Sequence, residues 1–265
     1  TISQQTCSQS FANFSGPQDM YSWKNIRAIC AVLLLLPVVH LAYLVSRDAL
    51  AILDATPSAW AAEMRAYAKA DQKLSRVHEP LIVVGGQRVK LWRDLPDILA
   101  PREVLMRGLG DATVNDILYY YDRLIGYHYP QTLVVLPGNS EFHIRDGKSA
   151  EELFDSIVAL AEVDANQGST RHLYIFTPIK TPRHPADNDK IDKVSRMLRE
   201  WGSRDERIAV LDANRLLSKR DGDANPSFYR SDGINLNDQG YLRLSMMLLD
   251  QVEQDSPEIE AHDDS

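Results

Sequence analysis

LIVVGGQRVKLW, residues 81–92, opens with four branched apolar residues, meets two glycines and reaches Gln87. An unbroken apolar run of this length, closed by glycine, reads as a strand covered on both faces. Glycines at its end supply a tight bend and a close backbone approach, as in turns that present a reactive side chain at the start of a helix. Gln87 occupies that presenting position, and a carboxamide has no ionisable nucleophile.

The same pattern recurs along the chain. EVLMR (103–107), TLVVLP (132–137), LYIFTP (173–178) and IAVLD (208–212) are further apolar runs of strand length. Helical periodicity separates them over 112–127, 148–166 and 187–202, and a last helix is expected over 237–253. Strands without alternation need cover on both faces, and the intervening helices supply it. The expectation is an α/β sandwich on a parallel five-stranded sheet. Chemistry in such folds gathers where strand ends enter helices. Four loops qualify: GGQ (85–87), GLGDAT (108–113), GNSEFH (138–143) and RSDGINLNDQGY (230–241).

A chain of 265 residues, 44% apolar and 25% charged, can bury one sizeable core and a small appendage. Its formal charge of −8, with no run of Lys and Arg, argues against a nucleic-acid surface. Two cysteines, Cys7 and Cys30, both lie outside the globular part, so that part has no disulfide or thiolate metal cage.

The amino end follows a different logic. AICAVLLLLPVVHLAYLVS, residues 28–46, carries no formal charge apart from a protonated His40. Nineteen helical residues are just enough to cross a hydrocarbon layer of about 30 Å. A retained membrane anchor is the leading expectation. The alternatives are a cleaved signal peptide, with Ala49 and Ala51 as the small residues of the cleavage site, and a buried core helix. Lys24 and Arg27 precede the run, and Arg47 with Asp48 follows it. That basic flank places the globular part outside the cytoplasm. Residues 1–27 form a polar lead in which Met20 is a natural start. Residues 47–79 form a helical connector, with Thr56 as N-cap, Pro57 in the first turn, and Trp60, Met64 and Tyr67 as a packing stripe. The globular domain spans 80–253, and 254–265 is an acidic, solubilising tail.

The order and spacing of the four loops resemble those of the SGNH (GDSL-type) hydrolases, a family of flavodoxin-like esterases, lipases and carbohydrate deacetylases. VVGGQRVKLW is similar to the first block, MRGLGDATVNDIL to the second (R-G-x-G-G-x-T), LPGNSEF to the third (G-x-N-D) and FYRSDGINLNDQGY to the last (D-G-x-H-L-x-x-x-G-Y). The resemblance covers about 79–250 and implies a three-layer flavodoxin-like sandwich. It places the catalytic positions at Gln87, Asp111, Ser140, Asp232 and Asn235.

Four of these five depart from the pattern. Gln87 stands where the resemblance expects the serine nucleophile. Asp111 replaces a glycine, and Ser140 an asparagine, of the oxyanion hole. Losing one such donor costs about 2.7–4 kcal/mol, and an aspartate there repels the developing charge. Asn235 replaces the histidine base and accepts no proton near neutrality. Only Asp232 is retained. The expectation is a membrane-anchored pseudoenzyme whose cleft binds a ligand, such as a sugar or acyl ester, or a protein partner. The alternative is an active ester hydrolase or acyltransferase using other residues.

Replacement sets are weak in the sequence. Ser140, His143 and Asp146 make a conceivable nucleophilic set on one loop, and His184 a distant candidate base. Asp111, Glu141, Asp232 and His143 could gather around a hard cation, but without a spacing signature. GLGDAT lacks the third glycine and the lysine of a phosphate loop, and Asp111 would repel a phosphate. No cofactor and no metal are expected.

Overall fold

The apolar runs do form strands. The computed structural model describes residues 23–53, 57–72, 80–143 and 147–255. The strands are β1 (Leu81–Gly85), β2 (Val104–Gly108), β3 (Thr132–Leu136), β4 (His172–Phe176) and β5 (Ile208–Leu211). All pairs are parallel, in the order β2-β1-β3-β4-β5. This is the doubly wound order with its switch point between β1 and β3, where the chain's crossovers change faces and leave a crevice at the strand ends.

Alternate residues of each strand feed two apolar layers. Ile82 and Val84 face a core shared with α5 (Val114–Tyr119), α7 (Ala150–Gln167) and α8 (Asn188–Gly202). Leu81 and Val83 face the other core, built with α3 (Gln87–Leu91), α4 (Leu95–Ile98), α9 (Asn214–Leu217) and α10 (Asp238–Gln254). Trp92 is enclosed in the second layer, where its indole N–H donates to Ser245 Oγ at 2.9 Å.

Several boundaries differ from the sequence reading. Gln87 is the first residue of a one-turn helix, α3, which follows β1 after Gly86 alone. The helix expected over 112–127 breaks at Tyr120, whose ψ of 17° takes it out of helical geometry, so α5 is followed by α6 (Tyr121–Leu124) and a 3₁₀ turn, Gly126–His128. The connector folds as a 3₁₀ turn, Pro57–Trp60, leading into α2 (Ala61–Asp71). Its stripe is a packing face, because Trp60 and Met64 are buried in the first core. Thr56, Met20, Cys7, the rest of the first 22 residues and residues 256–265 of the tail lie outside the described residues.

The chain divides into two units, residues 1–53 and 54–265. The first contributes α1 (Trp23–Leu53), which contains Pro37. Among the described residues, no helix is long and apolar enough to cross a membrane. Along α1, the side chains from Ile29 to Tyr43 are all exposed.

β2 and α3 are packed backbone to backbone. A Cβ on Gly108 would lie 2.9 Å from Lys90 Cα and 3.0 Å from Val89 C, neither of which can rotate away. Gly108→Ala is therefore expected to lower unfolding free energy by about 1–3 kcal/mol, as overpacked cores do, read as a lower urea midpoint at unchanged slope.

Candidate functional site

The first three loops meet at the carboxyl ends of β1, β2 and β3. A Cβ on Gly86 would lie 3.0 Å from the Ala112 carbonyl oxygen. One on Gly138 would lie 3.5 Å from the same oxygen and 3.8 Å from Gly86 Cα. Gln87, which follows Gly86, turns its Oε1 toward Gly110, within 3.3 Å of where a Cβ on that residue would stand. Gln87, Asp111 and Ser140 thus lie on three neighbouring loops.

Asp111 is exposed and has a φ of 53°, in the left-handed region that favours glycine. Aspartate is among the side chains that tolerate this conformation, and it is the one that the glycine implied here by the resemblance would adopt freely. Two carbonyls of this loop are held from outside. Trp60 Nε1 donates to Gly110 O and Tyr67 OH to Gly108 O, each at 2.7 Å. Arg107 pairs with Asp71 and lies over the Tyr67 ring. The connector helix therefore clamps the second loop.

The third loop is tied to the second through a buried carboxylate. Glu141, fully inaccessible, accepts the Val114 N–H at 2.7 Å on Oε1 and Lys148 Nζ at 2.8 Å on Oε2. Ser140, beside it, is also buried. Glu141 was a candidate cation ligand in the sequence, but these bonds occupy both its oxygens. Among the described residues, no group of three or more His, Cys, Asp or Glu is arranged to hold a metal ion.

The fourth loop carries Asp232 and Asn235. Asp232 Oδ1 accepts the backbone N–H groups of Ile234 (2.8 Å) and Asn235 (2.9 Å), and Oδ2 accepts the Asn235 side-chain amide at 2.8 Å. Burial pushes the Asp232 carboxyl up. The three hydrogen bonds and Arg230 outweigh that and hold it below the usual carboxylate range. The loop is joined to α3 by Arg88, whose guanidinium reaches Ile234 O at 3.4 Å and whose own carbonyl accepts Tyr241 OH at 3.0 Å. Of the five positions named by the resemblance, three therefore lie on neighbouring loops, and the other two on a loop that Arg88 ties to α3.

His143 finds a partner that the sequence reading missed. Its Nε2 pairs with Oδ2 of the buried Asp187, and its ring stacks on His184 with centroids 3.9 Å apart. Asp146, the partner expected from the sequence, lies outside the described residues. Asp187 sits beyond β4, 44 residues away, and only the parallel neighbourhood of β3 and β4 brings the two together. Arg183 links the same rim to the fourth loop by donating its N–H to Gly233 O at 3.1 Å.

Known structures share this architecture. A GDSL-like lipase from Bacteroides thetaiotaomicron superposes with a TM-score of 0.61 at 15% identity, covering 72% of this chain and 98% of that one. A lipase/acylhydrolase from Enterococcus faecalis gives 0.54 at 16%, with 66% and 96% covered. A carbohydrate esterase family 3 protein from Talaromyces cellulolyticus gives 0.55 at 11%, with 69% and 100% covered. No family model and no curated protein matches the sequence. The domain has the SGNH hydrolase fold.

Two measurements test how the rim is held. Glu141→Gln leaves Lys148 buried beside a neutral amide, and a loss of about 3–5 kcal/mol is expected by chemical denaturation. Lys148→Met in the Glu141→Gln background should recover part of that loss. Burial, then the neighbouring His143 and Arg183, hold the His184 imidazole below its ordinary value, with Asp187 opposing. The unfolded chain then takes up a proton first. His184 contributes stability that is present above about pH 6.5 and is lost as pH falls from there toward its folded value. The urea midpoint should drop between pH 7.5 and 5.5, and drop less in His184→Asn.

Proposed function

We propose that this chain is an SGNH-fold protein whose inherited acyl-transfer centre is inert and whose cleft serves recognition, binding a ligand or a partner without turning it over. The observation that carries this reading is the Asp232–Asn235 pair. In a Ser-His-Asp centre, the carboxylate orients an imidazole whose far nitrogen takes the nucleophile's proton. Here the Asn235 amide makes the bond to the carboxylate at 2.8 Å and offers no basic nitrogen beyond it. At the other end, Gln87 replaces the attacking oxygen. Gln87, Ser140 and Asn235 give the rim both hydrogen-bond donors and acceptors. Names such as lipase and carbohydrate esterase among similar structures favour a hydroxyl-rich or acyl-ester ligand. Residues 28–46 would anchor the chain in a membrane, with the domain on the extracytoplasmic side.

One observation favours a second reading. Asp187 and His143 form a carboxylate–imidazole pair beside the inert centre, and Ser140, in the 3₁₀ turn Asn139–Glu141, precedes His143 by three residues. That set would make the chain an ester hydrolase with its chemistry moved one strand over. A single series separates the readings. The purified chain should leave p-nitrophenyl acetate unhydrolysed above a matched blank. The combined variant Gln87→Ser, Asp111→Gly, Ser140→Asn and Asn235→His should gain measurable turnover. Hydrolysis by the parent, with fluorophosphonate labelling of Ser140 that His143→Ala abolishes, would establish the second reading in place of the first.

A further inference from the structure

The sheet ends at β5, which pairs only with β4. Between this edge strand, α9 and α10 lies an open groove of about 810 Å³. Its floor includes Val210 of β5, and α10 forms one long wall. Leu242 and Met246, one helical turn apart on α10, are 53% and 45% exposed there, although they belong to a well-packed helix whose inner face is fully buried. Such apolar exposure beside an unpaired strand marks a contact surface.

The charges on α10 identify the occupant. Arg243 and Asp250 both line the groove and are exposed. Seven residues apart, they stand two turns from each other on the same face. Neither has an ion-pair partner among the described residues, although Arg243 does rest on the Phe228 ring at 4.3 Å. A two-fold axis between Met246 and Met247, with two copies of α10 antiparallel, would bring Arg243 of each copy opposite Asp250 of the other. The same operation sets Gln239 opposite Gln254 and places both methionines at the axis. All of these residues line the groove.

An isologous interface must be self-complementary in this way: every surface position meets its own image across the axis. The chain as a whole carries a charge of −8, so two copies repel at random orientations. On this face Arg215 and Arg243 balance Asp212 and Asp250, and the methionines offer side chains that adapt to a close helix–helix contact. We propose that this face is a homodimer interface, with α10 of one copy packed antiparallel along α10 of the other and the Arg243–Asp250 pair made twice. The proposal is independent of what the cleft does, since it uses neither Gln87 nor any residue of the four loops.

The test is a charge swap in the full chain, kept in detergent micelles and followed by sedimentation equilibrium. The parent should dimerise. Arg243→Glu and Asp250→Arg should each weaken the dimer about tenfold or more, because each turns two attractive contacts into repulsive ones. Arg243→Glu combined with Asp250→Arg should restore it. A mixture of the two single variants should recover dimer as the heterodimer, since both of its contacts then join opposite charges. Met246→Cys, made with Cys7 and Cys30 changed to serine, should give an oxidised cross-linked dimer through residue 246. A parent that stays monomeric at every concentration overturns the proposal. So does a dimer that none of these charge changes affects, which would be one formed through another surface such as α1.

Discussion

Backbone contact between the first strand ends is the constraint on which the site depends. Gly85, at the end of β1, has no room for a side chain: a Cβ there would meet the Leu136 carbonyl oxygen and lie 2.6 Å from Val89. Gly108 is confined in the same way against the backbone of α3. With the strand ends this close, the loops after β1, β2 and β3 must leave the sheet together and pack on one another. The crevice is then a property of the backbone, whatever side chains line it. The four departures from the pattern that the resemblance implies are compatible with such a backbone.

The cross-ties have the same character. Glu141 joins the third loop to the amino end of α5, Arg88 joins α3 to the fourth loop, and Arg183 joins the loop after β4 to Gly233. None of these ties uses a residue of the five-position set. Scaffold and chemistry are therefore carried by different side chains, and the second can change while the first is kept. The clamp from α2 extends the scaffold outside the sandwich. Trp60 and Tyr67 bury their rings in or against the first core and turn their polar tips to Gly110 O and Gly108 O. Aromatic side chains with one polar atom suit that boundary between apolar layer and loop.

What could be read in the sequence divides along physical lines. Strands covered on both faces announce themselves as apolar runs, so all five were legible to within two residues at their ends. Glycine at 85, 86, 108 and 138 marked the loops, because close approach demands it. The resemblance then supplied five positions, of which Gln87, Asp111 and Ser140 lie on neighbouring loops and Asp232 and Asn235 on a loop that Arg88 ties to α3. Contacts between distant polar side chains were not legible. Asp187 and His143 meet only because β3 and β4 are neighbours, and nothing local to either residue signals the other. The break at Tyr120 was hidden for a related reason. The apolar spacing continues through 112–127, and Tyr121 and Leu124 beyond the break are buried in the same core as Val114 and Ile117 before it.

Under the proposed reading, the Asp232–Asn235 pair would let a centre lose its chemistry and keep its shape. An asparagine amide and a neutral imidazole both donate an N–H to a carboxylate, so the structural half of the interaction is conserved when one replaces the other. Asp232 also receives two backbone N–H groups, which fix the loop whether or not a base is present. The chemical half is different in kind: it requires a second nitrogen that changes protonation state during the reaction, and an amide has none. Stability therefore places little pressure on residue 235, while proton transfer places an absolute one. A fold held by backbone contact and by hydrogen bonds that an amide can supply has no need of the imidazole, and that asymmetry allows a cleft of this kind to outlast its reaction.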